Sequence, residues 1–352
     1  MRFSFEVIPE QPVAELLDAI ELADRLGFHA CYSADETYHK DMWGLFGAAA
    51  ARTERIVLAP GVTHVILKDP TIVAQHAATL DELTGGRSEV VFSVGNIAML
   101  EQYGVEWRPR MLARLREAHH VLRTFLDDGE IDFEGDFYRY RGLFTAARPV
   151  QKHMPVKLGG MGGPKSFELA GEISDGLHTA CAYSPAALRY AVEHAHAGAQ
   201  RAGRDPAEIE VGDYVLGAIA ADGDAARTAA RTLAAFYIPS MPPVLLERHG
   251  IAPESVQPIV AAFGRGDVAE ALRLTSDDIA DRISIAGTPE DWVERLCADV
   301  LPSGLDHLIV VPADPFLTHS WAGVQVDGLP DLAGQLRLLH DEVMPALESV
   351  GA

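Results

Sequence analysis

The strongest constraint on the fold is an alternation of apolar strands and amphipathic helices that repeats along the chain. Short β-branched or apolar runs, typical of buried parallel strands, are separated by helical stretches with one apolar side. The predicted strands are Arg2–Ile8, His29–Ala34, Ile56–Val62, Ser88–Gly95, Val156–Gly160, Leu177–Cys181, Ile209–Ala220 and His307–Val311. Eight strand–helix units in one chain favour an α/β fold of the closed (β/α)8 type, the TIM barrel.

The helices between these strands often have proline at or just before their first turn, where it is favoured. The predicted helices are Pro12–Leu26, Met42–Arg52, Pro70–Leu83, Pro109–Leu126, Pro164–Ile173, Pro185–Ala202, Ala225–Ala235 and Pro330–Leu347. We expect residues 1–352 to form a single barrel domain with an extension after the eighth strand.

Two insertions interrupt the repeat, at about residues 128–155 and 236–282. The first contains "FEGDFYRYRGLF", which predicts a small hairpin, and the second is predicted to hold extra helices. Insertions of this size in a barrel usually build the mouth of the active site or an oligomer contact.

Composition limits the partners of the chain. It has 51 acidic and 29 basic residues and a net charge of -22, which argues against nucleic acid or an anionic membrane as a partner. No apolar run is long enough to span a bilayer, and the N-terminus lacks an apolar signal core. The three cysteines are far apart, so neither a disulfide framework nor a zinc site is expected. We expect a soluble cytoplasmic protein that acts on a small molecule.

A glycine-rich loop follows the fifth predicted strand in "VKLGGMGGPKSFELAGEISDG". Backbone amides without side chains above them, at a helix N-terminus, form an anion site that the helix dipole favours. The spacing is neither G-x-G-x-x-G nor that of a P-loop. The alternative is close packing of strand against helix without a ligand. The candidate phosphate-binding residues are Gly160, Met161, Gly162 and Gly163.

Other candidates stand where strands end, because barrel enzymes place their chemistry there. Glu6 lies within the apolar strand "FSFEVIP", where a carboxylate is rarely tolerated without a partner or a purpose. Asp35 is a second catalytic candidate, although Asp35 and Glu36 could instead cap the next helix. The remaining candidates for cofactor binding are Gly61, Val62, Ser93, Gly95, Asn96, Thr179 and Cys181.

Metal and hydrolase chemistry are disfavoured. His119 and His120 are adjacent, and His194 and His196 are two residues apart, so neither pair shares a helix face for a metal. Ser93 is not in a G-x-S-x-G motif, so a hydrolase triad is not expected. We predict no metal site.

Four stretches together resemble a known family: "MRFSFEVIPEQPVAELLDAIELADRLGF", "LAPGVTHVILKDPTIVAQHAATLDELTGGR", "GGMGGPKSFELAGEISDG" and "SIAGTPEDWVERL". They are similar to the bacterial luciferase-like superfamily of flavin and deazaflavin oxidoreductases. Within it, the chain most resembles the methylenetetrahydromethanopterin reductases of one-carbon metabolism, which use the deazaflavin coenzyme F420. The resemblance extends from Met1 to about Pro312.

This resemblance implies F420 at the C-terminal mouth of a luciferase-like barrel. It implies a cis peptide bond between Gly61 and Val62 that supports one face of the deazaflavin ring. The loop Gly160–Gly163 would hold the cofactor phosphate, with added charge from Lys165. Glu6 would be the general acid that protonates the amine of a methylene-tetrahydropterin before the hydride transfer, and its burial would keep it protonated.

The chain departs from the family at the mouth. The family often has Asp-His after the second strand, where this chain has Asp35–Glu36, and Asn96 stands where a small residue or an acid is common. These changes concern the substrate more than the cofactor. The alternatives are an FMN-dependent monooxygenase, an NADH-dependent, flavin-free methylenetetrahydrofolate reductase, and a non-catalytic binding subunit. We expect a homodimer or a larger homo-oligomer.

Overall fold

The computed structural model describes residues 1–108 and 110–349, and within them eleven β-strands. Nine belong to one parallel sheet and two form a separate hairpin. The strands are β1 (Arg2–Val7), β2 (Ala30–Ser33), β3 (Val57–His64), β4 (Val90–Ser93), β5 (Glu130–Glu134), β6 (Arg139–Phe144), β7 (Val156–Gly160), β8 (Gly176–Ala180), β9 (Glu210–Ile219), β10 (Ser284–Gly287) and β11 (His307–Pro312).

The large sheet closes into a barrel. Its strand order is β10-β9-β11-β1-β2-β3-β4-β7-β8, and β8 pairs back onto β9. Eight strands therefore form the ring, which confirms the (β/α)8 prediction. The ninth strand, β10, pairs with Leu216–Ile219 in the second half of β9, beyond the stretch that β8 occupies. Sequence reasoning missed β10 because four residues carry too little alternation to identify a strand.

Helices separate the barrel strands, close to their predicted bounds. The described residues form α1 (Val13–Leu26), α2 (Met42–Ala50), α3 (Pro70–Thr84), α4 (Ile97–Gln102), α5 (Met111–Asp128), α6 (Pro164–Ile173), α7 (Pro185–Arg201), α8 (Gly223–Tyr237), α9 (Pro243–Arg248), α10 (Pro253–Gly264), α11 (Val268–Leu274), α12 (Asp277–Ile283), α13 (Pro289–Arg295), α14 (Pro315–Ala322), α15 (Leu332–Leu338) and α16 (Met344–Ser349). Pro109, where one helix was predicted to begin, lies outside the described residues. A π-helical turn, Leu339–Val343, joins α15 to α16.

The two insertions have the predicted character. The first contains the antiparallel hairpin of β5 and β6, and the second contains α9 to α12. None of the helices in the described part of the chain combines the length and apolarity needed to cross a membrane.

A buried ion-pair network fills the barrel interior near the N-terminal ends of the strands, which we call the lower part of the barrel. The Lys157 ammonium, 3% exposed, donates to Glu89 Oε1 at 2.9 Å and to Glu210 Oε1 at 2.5 Å. The Glu210 carboxylate also pairs with Arg2 and hydrogen-bonds the rings of His178 and His307. Burial disfavours the charge on Lys157, but the two carboxylates raise its pKa above the ordinary value. The charged groups in the lower part of the barrel are therefore stabilised by pairing with one another.

An aromatic layer stands above this network. Tyr32 donates to Glu89 at 2.7 Å, and its ring meets that of Tyr214 edge to face with centroids 5.6 Å apart. A Cβ built on Gly61 would lie 2.8 Å from the Cβ of Tyr32 and would also strike the Tyr214 hydroxyl. Any side chain at position 61 would therefore clash with the two tyrosines.

We predict that Lys157→Met destabilises the protein by about 3–5 kcal/mol, because it leaves two buried carboxylates without their cation. The measurement is the free energy of unfolding in denaturant, with the exposed Lys152→Met as the matched control. A loss below about 1 kcal/mol, the range of surface ion pairs, would show that the network does not stabilise the barrel.

Candidate active site

The end of β3 forms a bulge at the barrel mouth. The peptide bond between Gly61 and Val62 is cis, which confirms the sequence prediction, and the pairing of β3 with β4 shifts register between Gly61 and Thr63. A Cβ on Gly159 would lie 2.7 Å from Val62 Cγ1 and 3.3 Å from Ser93 Cβ. The missing side chain of Gly159 thus lets Val62 and Ser93 approach the end of β7.

Glu6 lies in β1, on the same face as Ser4, which hydrogen-bonds the His307 ring of the buried network at 2.6 Å. That face points into the barrel. Glu6 is 6% exposed, and no hydrogen bond to its carboxyl group occurs among the described residues. Burial, followed by the neighbouring Glu36 carboxylate, raises the pKa of Glu6 well above its ordinary value. Glu6 is therefore a buried carboxyl group whose surroundings favour its protonated form.

Glu36, after β2, is a second carboxyl group at the mouth, and it is half-buried. Burial raises its pKa, and the Asp35 carboxylate adds to the effect, whereas the hydrogen bond from Asn96 opposes it. That bond joins Asn96 Nδ2 to Glu36 Oε2 at 3.4 Å. Asn96 also caps α4, accepting from the amides of Ala98 and Met99 at 3.0 and 3.3 Å. Sequence reasoning found Asn96 but not the helix that it caps.

Asp35 has a different environment. Its Oδ2 accepts from Lys68 Nζ at 2.6 Å, from the Thr63 hydroxyl at 2.7 Å and from the Trp43 indole at 3.0 Å. Burial opposes the charge, but the hydrogen bonds from Lys68 and Thr63 and the Lys68 charge lower the pKa of Asp35. Asp35 is thus an ionised anchor that joins the loops after β2 and β3. The sequence contained the signal for its partner, because Lys68 follows the third strand in "VILKDP".

The glycine loop leads from β7 into α6. Gly162 has φ +99°, in the region that favours glycine, and a Cβ there would lie 3.2 Å from Leu245 Cβ. Gly163 is the N-cap of α6 and supplies no side-chain acceptor. Among the described residues no acceptor is recorded for the amides of Met161, Gly162 and Gly163. Donors at a helix N-terminus are thus free for an anion, and the Lys165 side chain is exposed beside them.

The ends of β4 and β8 are built by local contacts. The Ser93 hydroxyl accepts from the Gly95 amide at 2.9 Å, and Gly95 has φ +91° with its α-carbon packed against His64. Cys181 has φ +59°, and its carbonyl hydrogen-bonds His249 at 2.8 Å. Burial raises the pKa of the Cys181 thiol well above its ordinary value, so the thiol is neutral.

The side chain of Thr179 does not face the mouth. His178, its neighbour on β8, lies in the barrel interior, and Thr179 donates to Asp213 Oδ1 at 2.6 Å on the opposite face of the sheet. Asp213 Oδ1 also accepts from the Ala182 amide, but its Oδ2 is buried without a partner among the described residues. Desolvation raises the pKa of Asp213 to about 7. Sequence reasoning placed Thr179 correctly at a strand end but not the face on which it lies.

His178, Glu210 and His307 have ligand atoms within 4.8 Å of one another in the barrel interior. These atoms already hydrogen-bond each other, and the Lys157 ammonium lies 2.5 Å from Glu210 Oε1, where a metal would have to bind. Burial lowers the pKa of His307 to about 3, so its ring is neutral. We assign these residues to the barrel core.

The architecture agrees with comparisons to known proteins. The sequence profile described as "Luciferase-like monooxygenase" matches residues 2–307. This chain therefore belongs to the luciferase-like monooxygenase family.

Its relatives include reductases of one-carbon carriers. The chain is 31% identical over 310 residues to a 5,10-methylenetetrahydromethanopterin reductase of Methanolobus tindarius, covering 88% of this chain and 93% of the relative. It is 28% identical over 352 residues to the same enzyme of Archaeoglobus fulgidus, covering 99% and 100%. The solved structure of the coenzyme F420-dependent tetrahydromethanopterin reductase of Methanopyrus kandleri superposes with a TM-score of 0.87 at 29% identity, covering 98% of each chain.

Asp213 gives a testable dependence of stability on pH. Its pKa is raised from 3.8 to about 7 on folding, so the folded state binds more protons between these values. The contribution to stability is therefore full below pH 3.8 and is lost as pH rises towards 7, by up to about 1.4 kcal/mol per pH unit. Asp213→Asn keeps the acceptor for Thr179 and removes the titration.

We expect Asp213→Asn to become progressively more stable than wild type as pH rises from 5 to about 7, with no further gain above that. The measurement is the free energy of unfolding at each pH, and Asp327→Asn, at an exposed position, is the control. Parallel stability curves for wild type and Asp213→Asn would contradict the raised pKa.

Proposed function

We propose that this protein is a coenzyme F420-dependent oxidoreductase that transfers a hydride between the reduced deazaflavin and a small organic acceptor, with a methylene-tetrahydropterin as the first candidate. The observation that carries the proposal is the full-length match, 98% of each chain, to an F420-dependent tetrahydromethanopterin reductase. The buried, unpartnered Glu6 carboxyl group at the mouth supports it, because the reduction of such a substrate needs an acid in the site.

The residues at the mouth fit a phosphorylated cofactor. The amides of Met161, Gly162 and Gly163 and the positive end of the α6 dipole would bind the phosphate. The bulge at Gly61–Val62 and the ends of β4 and β8 would contact the ring. Bound there, F420 supplies a hydride and does not need oxygen.

Glu6 would supply the proton. Burial raises its pKa well above the ordinary value, which favours the protonated form that a general acid needs. It would donate this proton to the bridging amine nitrogen of the acceptor, which makes the attached one-carbon unit more electrophilic. Asp35, ionised and held by Lys68, Thr63 and Trp43, would fix the wall of the site and would not exchange protons.

We also propose that the chain forms one barrel domain, assembles as a homodimer or larger homo-oligomer and acts in the cytoplasm. Phe144, at the end of the hairpin strand β6, is 76% exposed, and Leu143 and Val150 are exposed near it, which supports an oligomer contact. The three cysteines are free, which suits a reducing compartment. Sedimentation of the purified protein tests the assembly.

Titration of the purified protein with F420, FMN and NADH tests the choice of cofactor. Binding of F420, followed by oxidation of its reduced form with methylenetetrahydromethanopterin or methylenetetrahydrofolate, is the expected result. Activity with FMN and oxygen would favour the monooxygenase alternative, and activity with NADH alone would favour a flavin-free reductase. A protein that binds none of the three would instead be a binding subunit.

We predict that Gly162→Val weakens F420 binding at least tenfold, about 1.4 kcal/mol. A β-branched side chain at φ +99° would displace the loop amides that bind the phosphate. The measurement is a fluorescence titration of the deazaflavin. Gly203→Val is the control, because Gly203 also has positive φ (+72°) but has open space around it and lies in the loop after α7. Unchanged F420 affinity in Gly162→Val would show that the loop serves the packing of strand against helix and does not bind the phosphate.

We predict that Glu6→Gln lowers turnover by about 10²–10⁴ and leaves F420 affinity nearly unchanged, because the amide keeps the shape and loses the proton. Wild-type turnover should fall as pH rises through the raised pKa of Glu6, and this limb should vanish in the variant. The assay follows deazaflavin absorbance, with Glu15→Gln on the surface of α1 as the control. Retention of more than about a third of wild-type turnover would refute the role.

A further inference from the structure

The second insertion reaches the glycine loop through one arginine. Arg248, the last residue of α9, donates from Nη1 to the carbonyl of Gly162 at 2.6 Å. Its guanidinium carbon lies 3.4 Å from the centroid of the Tyr190 ring on α7. The backbone around it is also fixed, because the Ser184 hydroxyl donates to the Arg248 carbonyl and the next residue, His249, bonds the carbonyl of Cys181. Arg248 is thus held against the loops after both β7 and β8.

The charge of this arginine has no carboxylate partner among the described residues. No carboxylate of the described residues pairs with the Arg248 guanidinium, whose only recorded hydrogen bond is the one to Gly162. Arginines on nearby helices are paired: Arg201 with Glu168 and Arg282 with Asp278. A half-buried arginine without a carboxylate, in a chain of net charge -22, has its charge available for a ligand.

The position of this charge defines the ligand. The guanidinium contacts the residue whose amide, with those of Met161 and Gly163, has no recorded acceptor in the described chain. Unpaired N–H donors, a helix N-terminus and a planar cation therefore converge on one place. This combination suits a phosphate oxygen, which accepts several donors at once and pairs well with guanidinium.

We propose that Arg248 determines the specificity of the cofactor site for a phosphorylated flavin or deazaflavin, by binding the phosphate group with its free charge while its Nη1 holds the glycine loop in place. The proposal rests on the proposed function and deepens it. It makes the second insertion, which lies far from Gly162 in sequence, a part of the phosphate site.

The test compares a cofactor with and without its phosphate. Wild type, Arg248→Met, Arg248→Lys and Arg273→Met are titrated, by fluorescence, with F420 and with the same deazaflavin bearing a free ribityl chain without phosphate. Arg248→Met keeps the apolar stem over Tyr190 and loses the charge. Arg273→Met, in the same insertion but paired with Glu270 on α11, removes the same net charge without touching the loop.

We expect Arg248→Met to bind F420 at least tenfold more weakly and the phosphate-free deazaflavin with unchanged affinity, and Arg248→Lys to recover part of the loss. The difference between wild type and Arg248→Met should shrink as salt rises, because a direct charge contact is screened. Equal losses for F420 and the phosphate-free deazaflavin would show a merely structural role and overturn the proposal. Unchanged F420 affinity in Arg248→Met, or an equal loss in Arg273→Met, would also overturn it.

Failure of the proposed function gives a different result. If wild type binds FMN instead of F420, the same four proteins are titrated with FMN and riboflavin. An affinity loss in Arg248→Met for FMN but not for riboflavin would support the role of Arg248 and would show that F420 is not the cofactor. If wild type binds neither phosphorylated cofactor, both proposals are wrong.

Discussion

The rest of the site depends on two ion pairs inside the barrel, those between the Lys157 ammonium group and the carboxylates of Glu89 and Glu210. A closed ring of eight strands leaves an interior that side chains must fill, and here polar groups fill its lower part. Every charge buried there needs a partner, since an unpaired one costs several kcal/mol. Lys157 supplies that partner for two carboxylates, and Tyr32, bonded to Glu89, begins the aromatic layer beneath Gly61.

The pKa values of carboxyl groups are shifted in opposite directions at the two ends of the barrel. At the lower end, Lys157 lowers the pKa of Glu89 although burial opposes the charge. At the mouth, Glu6 is buried and Glu36 is half-buried, neither is paired with a lysine or arginine of the described residues, and burial raises the pKa of both. When two environments give the same type of group very different pKa values, the groups usually have different roles, one structural and one chemical. The carboxylates at the lower end are paired within the barrel, whereas those at the mouth are the ones that we propose for proton transfer and substrate contacts.

Much of this architecture could be predicted from the sequence, because buried parallel strands are recognisable as apolar runs and glycine-rich turns mark their ends. The eight barrel strands, the hairpin and the glycine loop were found in this way. Roles that depend on which residues meet across the fold could not be found. Asp35 stays ionised because it pairs with Lys68, 33 positions away; the position of the lysine after the third strand was visible in the sequence, but the contact was not. The Thr179 side chain faces Asp213, not the mouth. Arg248 approaches Gly162 from 86 positions away, and no local pattern encodes that contact.

The acidity of the chain and the anionic cofactor proposed for it are compatible because electrostatic interactions at a surface are local. At physiological ionic strength, charges separated by more than about 8 Å are largely screened, so most of the net charge of -22 has little effect at the phosphate site. What matters there are donors in direct contact: the amides at the start of α6 and the guanidinium of Arg248, none of which has a carboxylate partner in the described chain. A carboxylate placed beside Arg248 would remove this advantage, whereas the many carboxylates on distant surfaces do not. The proposed phosphate site therefore depends on Arg248 having no carboxylate partner, in a protein rich in acidic residues.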